Sequence, residues 1–152
     1  MLVLIAERRK AVLKTILVAL DESELSERVI QQLGQLQLQP TAKVILSHVM
    51  PSNRYEVDVA ADRPHAQSEE LPYRQIEKQL ESYQAQLPCE SQLEIVMGEP
   101  AEEIIRLAYI YQAELIVIGS RGLTGMKRIL QGSVSSQVVA DAPCSVLVVK
   151  PQ

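Results

Sequence analysis

The sequence predicts an open α/β fold, a mostly parallel sheet of five strands with helices on both faces. Unbroken apolar runs recur at Ile16 to Leu20, Val44 to Leu46, Leu115 to Ile118 and Val146 to Val149. Such runs suit strands covered on both sides, as in a parallel sheet. Between them, apolar residues return at helical spacing, and glycine, proline or aspartate marks the junctions. Strand and helix in alternation imply right-handed crossovers.

Each element has its own signal. Thr15 to Leu20 is the first strand and Asp21 ends it. Leu25, Val29, Leu33 and Leu36 follow at spacings of four, four and three, which places an apolar stripe on a helix, with Ser23 as the expected N-cap. Lys43 to Met50 is the second strand. His48 within it reads as a packed, hydrogen-bonded core residue rather than a catalytic base. Residues 51–71 show no period and read as a long loop, either a lid or spare surface. Pro72 is expected in the first turn of the next helix, whose stripe is Tyr73, Ile76, Leu80, Tyr83 and Leu87. Leu93 to Met97 is the third strand, closed by Gly98-Glu99-Pro100. A helix from Ala101 to about Gln112 then buries Ile104, Ile105 and Ala108. After the Leu115 strand comes a helix following Gly132, then a break at Asp141-Ala142-Pro143 and a last strand over Ser145 to Val149.

Composition narrows the function. A chain of 152 residues, 47% hydrophobic, holds one sizeable core. Residues 1–14 read as an N-terminal extension and 15–152 as the domain. A formal net charge of -4 without a basic face argues against nucleic acid as a partner. Cys89 and Cys144 have no metal-like spacing, and a reducing cytoplasm is the simplest setting for them. The opening apolar run precedes its charges, the reverse of a secretory signal, and is too short to span a membrane.

The stretch from Glu114 to Val139 carries the chemistry. The apolar strand stops at Gly119; Gly122, Gly125 and Gly132 follow, then Ser133, Val134, Ser135 and Ser136. Glycines let successive N–H groups form a concave nest, and a helix start adds unpaired donors and a positive dipole end. Phosphate is the natural guest. Arg121, Lys127 and Arg128 in the same segment either neutralise phosphate charge or form a solvated face.

Gly119, two residues, Gly122, nine residues, then Gly132-Ser133 resembles the G-x2-G-x9-G-S/T signature of the ATP-binding branch of the universal stress protein family. The stretches ILVALDESE, VILSHV and PCSVLVVK extend the resemblance over most of the chain from about Lys14 onward. It implies a Rossmann-like sheet in the order 3-2-1-4-5, with a ligand crevice where strands 1 and 4 part. It also implies that Gly119, Gly122, Gly132, Ser133, Val134 and Ser135 cradle phosphate and ribose, and that Ala19, Val49 and Ile118 line an adenine pocket. Asp21 would lie near ribose or hold magnesium through the phosphates. Ala19-Leu20 stands where some ATP-binding relatives have Pro-Thr before the aspartate.

The resemblance implies an ATP-binding regulatory or sensor protein of stress response. It also implies a homodimer through the C-terminal strand and a downstream partner that the sequence does not identify. A slow ATPase or nucleotide-transferring enzyme is the alternative on the same fold. A dimeric interaction module without nucleotide is the other. The chain has no G-x4-G-K-S/T loop and no G-x-G-x-x-G fingerprint, so phosphoryl chemistry would rest on Asp21.

Overall fold

A computed structural model describes residues 12–52, 66–120 and 134–152. The elements run β1 (Thr15–Leu20), α1 (Leu25–Gln35), β2 (Lys43–Met50), α2 (Ala66–Gln84), β3 (Glu90–Met97), α3 (Pro100–Tyr111), β4 (Leu115–Gly119), α4 (Val134–Asp141) and β5 (Ser145–Val149). All five strands are parallel, in the order β3-β2-β1-β4-β5. That is the predicted architecture. Strands 1 and 4 lie side by side, and the winding direction reverses between them.

Alternation along each strand divides the interior in two. Ile16, Val18 and Leu20 of β1, Val44 and Leu46 of β2 and Val117 of β4 face a core closed by Val29 and Leu33 of α1 and by Ile76 and Leu80 of α2. Leu17, Ile45, Val49, Ile116 and Ile118 face the opposite core, closed by Ile104, Leu107 and Ala108 of α3 and Val138 of α4. Burial on both faces explains why the central strands read as continuous apolar runs. Cys89 packs against the first core and Cys144 against the second, so the sheet separates these free thiols. Burial pushes both thiols above their ordinary value.

Several local expectations are corrected. The N-cap of α1 is Glu24, without a side-chain cap bond, while Ser23 turns back to Asp21. Helix α2 is already helical at Ala66, so residues 66–71 belong to it and Pro72 lies inside. The proline removes one backbone donor from the helix, a cost the stripe below it offsets. In α3 the buried set is Ala101, Ile104, Leu107 and Ala108, with Ile105 half-buried. Strand β3 starts at Glu90, ahead of the apolar residues, because an edge strand tolerates polar side chains on its open side. His48 is 4% exposed, and its Nδ1–H donates to the Leu20 carbonyl at 3.0 Å, as a core histidine should. Residues 1–11 and 53–65, which include most of the expected extension and loop, lie outside the described residues.

The β3 edge carries a polar cluster on the α3 side. Tyr111 donates its hydroxyl hydrogen to Glu94 Oε1, and the Gln92 side-chain amide donates to the Tyr111 oxygen at 2.7 Å. Lys43 Nζ lies 5.7 Å from the centre of the Tyr111 ring. Burial first, then the hydrogen bond to Glu94 and its negative charge, push the Tyr111 phenol up to about 12 from an ordinary 10.0. A raised folded value means that the contribution of this phenol to stability is complete below pH 10.0 and is lost as pH climbs toward about 12. Ultraviolet difference titration should show Tyr111 ionising late, alongside Tyr83, which burial also pushes up, and Glu94→Gln should bring Tyr111 back toward the ordinary value. An unchanged titration in Glu94→Gln would contradict this assignment.

Candidate functional site

The register sets Ser47, Ala19 and Ile118 abreast on β2, β1 and β4. All three lie on the α3 and α4 side of the sheet, at the C-terminal ends of the strands. Together with Val49 they floor a pocket of about 460 Å³, counting its open mouth. Pro100 and Ile104 of α3 and Val134 of α4 form one wall; Leu25 and Val29 of α1, with Gly119, form another. Asp21 and Ser26 stand at the rim. A mostly apolar lining with a few polar groups is the usual chemistry of small-molecule sites.

Of the residues singled out from sequence, Ala19, Asp21, Val49, Ile118, Gly119 and Val134 come together in this pocket. Ser135 lies beside it, buried in the first turn of α4, with its hydroxyl donating to the Ser120 carbonyl at 3.5 Å. Gly122, Gly132 and Ser133 lie outside the described residues, as do Arg121, Lys127 and Arg128. Sequence reasoning missed Ser26 and Ser47. Ser47 had a signal, a small polar residue interrupting the apolar run of β2; its hydroxyl donates to the Val18 carbonyl at 2.9 Å, which satisfies it inside the sheet. His48, its neighbour, points to the opposite core and lines no part of the pocket.

Gly119 has a packing role as well. A Cβ on Gly119 would stand 2.7 Å from Leu25 Cδ2 and 3.0 Å from Leu25 Cγ. The missing side chain thus lets the start of α1 settle against the end of β4. At the other side of the pocket, Gly98 takes φ +149 before α3, and its N–H donates to the Met50 carbonyl at 3.0 Å. This turn sets Pro100 at the first position of α3, where a missing N–H costs nothing.

Asp21 is the one ionisable side chain in the described lining. Its Oδ1 accepts from Ser23 N at 2.9 Å and Ser23 Oγ at 2.5 Å, and lies 3.0 Å from Ser26 Oγ. Helices α1, α3 and α4 all begin at this end of the sheet. The positive ends of their dipoles therefore converge on the rim.

Residues 13–150 match the model described as the universal stress protein family. The chain belongs to that family. Among its relatives is the universal stress protein Sll1388 of Synechocystis sp., 27% identical over 148 residues that cover 89% of this chain and 96% of the relative. The solved structure of MJ0577, a universal stress protein of Methanocaldococcus jannaschii, superposes with a TM-score of 0.75 at 30% identity, covering 91% of this chain and 96% of that one. A universal stress protein solved in complex with cAMP shares the fold at a TM-score of 0.67 and 23% identity, over 92% of this chain and 98% of the other. Among the described residues, no helix is long and apolar enough to cross a membrane, and no group of three or more His, Cys, Asp or Glu side chains is placed to hold a metal.

The contact at Gly119 gives a direct test of how this universal stress protein builds its pocket wall. Gly119→Ala should lower unfolding stability by about 1–3 kcal/mol through overpacking. Adding Leu25→Ala should recover part of that loss, so that the double variant falls short of the sum of the two single effects in urea unfolding. Strict additivity would contradict the contact.

Proposed function

We propose that the pocket between β1 and β4 binds an adenine nucleotide, ATP first among them, and that occupancy regulates the protein in stress response. The observation that carries this reading is the convergence of Ala19, Val49 and Ile118 with Asp21, Gly119 and Val134 in one pocket. The first three supply an apolar floor suited to a purine. Asp21 supplies an acceptor at the rim. The start of α4 supplies donors and a favourable dipole for phosphate. Gly119 and Val134, which flank the glycine-rich segment in sequence, both line the pocket, which is where a phosphate nest is needed. The cAMP complex of a neighbour supports an adenine nucleotide as the ligand class. Magnesium would reach the site on the phosphates.

The same reading includes a two-fold dimer through β5. Among the described residues, no strand pairs with the outer side of β3 or β5. The β3 edge is guarded by Glu90, Gln92 and Glu94, whereas β5 reads SVLVV and carries no charge. An uncharged apolar edge is the one that pairing would cover. Light scattering at micromolar concentration should give a mass twice that of one chain; a single-chain mass would contradict the dimer.

Calorimetric titration of ATP with magnesium tests the site. Wild type should bind, and Ala19→Leu, which fills the floor between Ser47 and Ile118, should weaken binding roughly tenfold or more while remaining folded by circular dichroism. Folded wild-type protein that takes up no ATP would overturn the proposal.

A further inference from the structure

Asp21 stands in a cage of serine donors that the nucleotide reading does not use. Ser26 is 2% exposed, and its oxygen accepts from the Asp21 N–H at 3.0 Å while lying 2.8 Å from the Asp21 carbonyl and 3.0 Å from Oδ1. A serine hydroxyl has one hydrogen to give. The two Ser23 bonds already occupy the lone pairs of Oδ1, so the Ser26 hydrogen goes to the carbonyl, the shorter contact. The main chain of Asp21 is thereby clamped to the first turn of α1 by Ser26, and one carboxylate oxygen is clamped by Ser23. Among the described residues, none makes a hydrogen bond to Oδ2.

We propose that Ser23 and Ser26 are positioning residues that fix Asp21 through its main chain and Oδ1, so that Oδ2 accepts one donor group of the nucleoside part of the ligand. This rests on the nucleotide reading. A carboxylate held in this way gives its remaining oxygen a defined direction before the ligand arrives, which lowers the ordering cost of binding. Without the cage the side chain rotates freely and must be ordered by the ligand.

The test is a double-mutant cycle on ATP affinity, measured by calorimetry in the presence of a metal chelator so that the nucleotide alone is read. Ser23→Ala and Ser26→Ala should each weaken ATP roughly five- to tenfold. In an Asp21→Ala background Ser23→Ala should have no further effect, because its hydroxyl acts through the carboxylate. A structural role would cost affinity in both backgrounds, and that result would overturn the proposal. So would full affinity in Ser23→Ala. Ser23 is half-buried and should tolerate alanine even if the buried Ser26→Ala variant unfolds. Failure of wild type to bind ATP, with or without magnesium, would overturn the nucleotide reading and this proposal together; wild-type binding without coupling would overturn this proposal alone.

Discussion

β1 is hydrogen-bonded on both sides, by β2 and by β4, and its side chains alternate between two separate cores. Ile16, Leu17 and Val18 have no solvent exposure at all. Everything that follows depends on this strand. Its neighbours run parallel to it, so their C-terminal ends all open on one side of the molecule. The crossovers leave it in opposite directions, so the loops above β1 and β4 part. A pocket at that place results from the topology before any particular side chain is chosen.

The side chains then decide what the pocket can hold. The row formed by Ser47, Ala19 and Ile118 presents a small apolar step between two larger neighbours. Asp21 follows directly after β1, so the first polar group of the rim is placed by the end of the central strand. Gly119 follows directly after the buried run of β4 and, by lacking a side chain, lets Leu25 close the wall from α1. An apolar floor and a polar, donor-rich rim thus meet within a few residues of two strand ends. The polar groups that the sheet itself buries are satisfied: Ser47 by the Val18 carbonyl and His48 by the Leu20 carbonyl.

Much of this was legible in the chain. Two-sided burial writes itself as unbroken apolar runs, and amphipathic helices as stripes at spacings of three and four, so the element order was readable. Strand order was not contained in periodicity; it came with the family resemblance and agrees with the structure. Boundaries were least legible. Pro72 looked like a helix start because proline favours the first turn, yet the packing of Ile76, Leu80 and Tyr83 carries a helix that begins before it. Glu90 to Gln92 fell outside the expected third strand because an edge strand need not be apolar. Ser23 looked like an N-cap, but the nearby Asp21 carboxylate competes for its donors. In the site, Ala19, Asp21, Val49, Ile118, Gly119 and Val134 were found from motif positions. Ser26 was missed because a serine in a first helical turn has no distinguishing pattern until the turn before it is folded.

The central claim is that ligand recognition sits at the parting of β1 and β4 rather than at any other surface. Amide chemical-shift mapping by heteronuclear NMR during an ATP titration tests it most directly. The account predicts that shifts concentrate at the ends of β1, β2 and β4, around Ala19 to Asp21, Val49 and Ile118 to Ser120, and at the start of α4. Shifts centred on the opposite end of the sheet, near Thr15, Lys43 and Glu90, or none in folded protein, would contradict it.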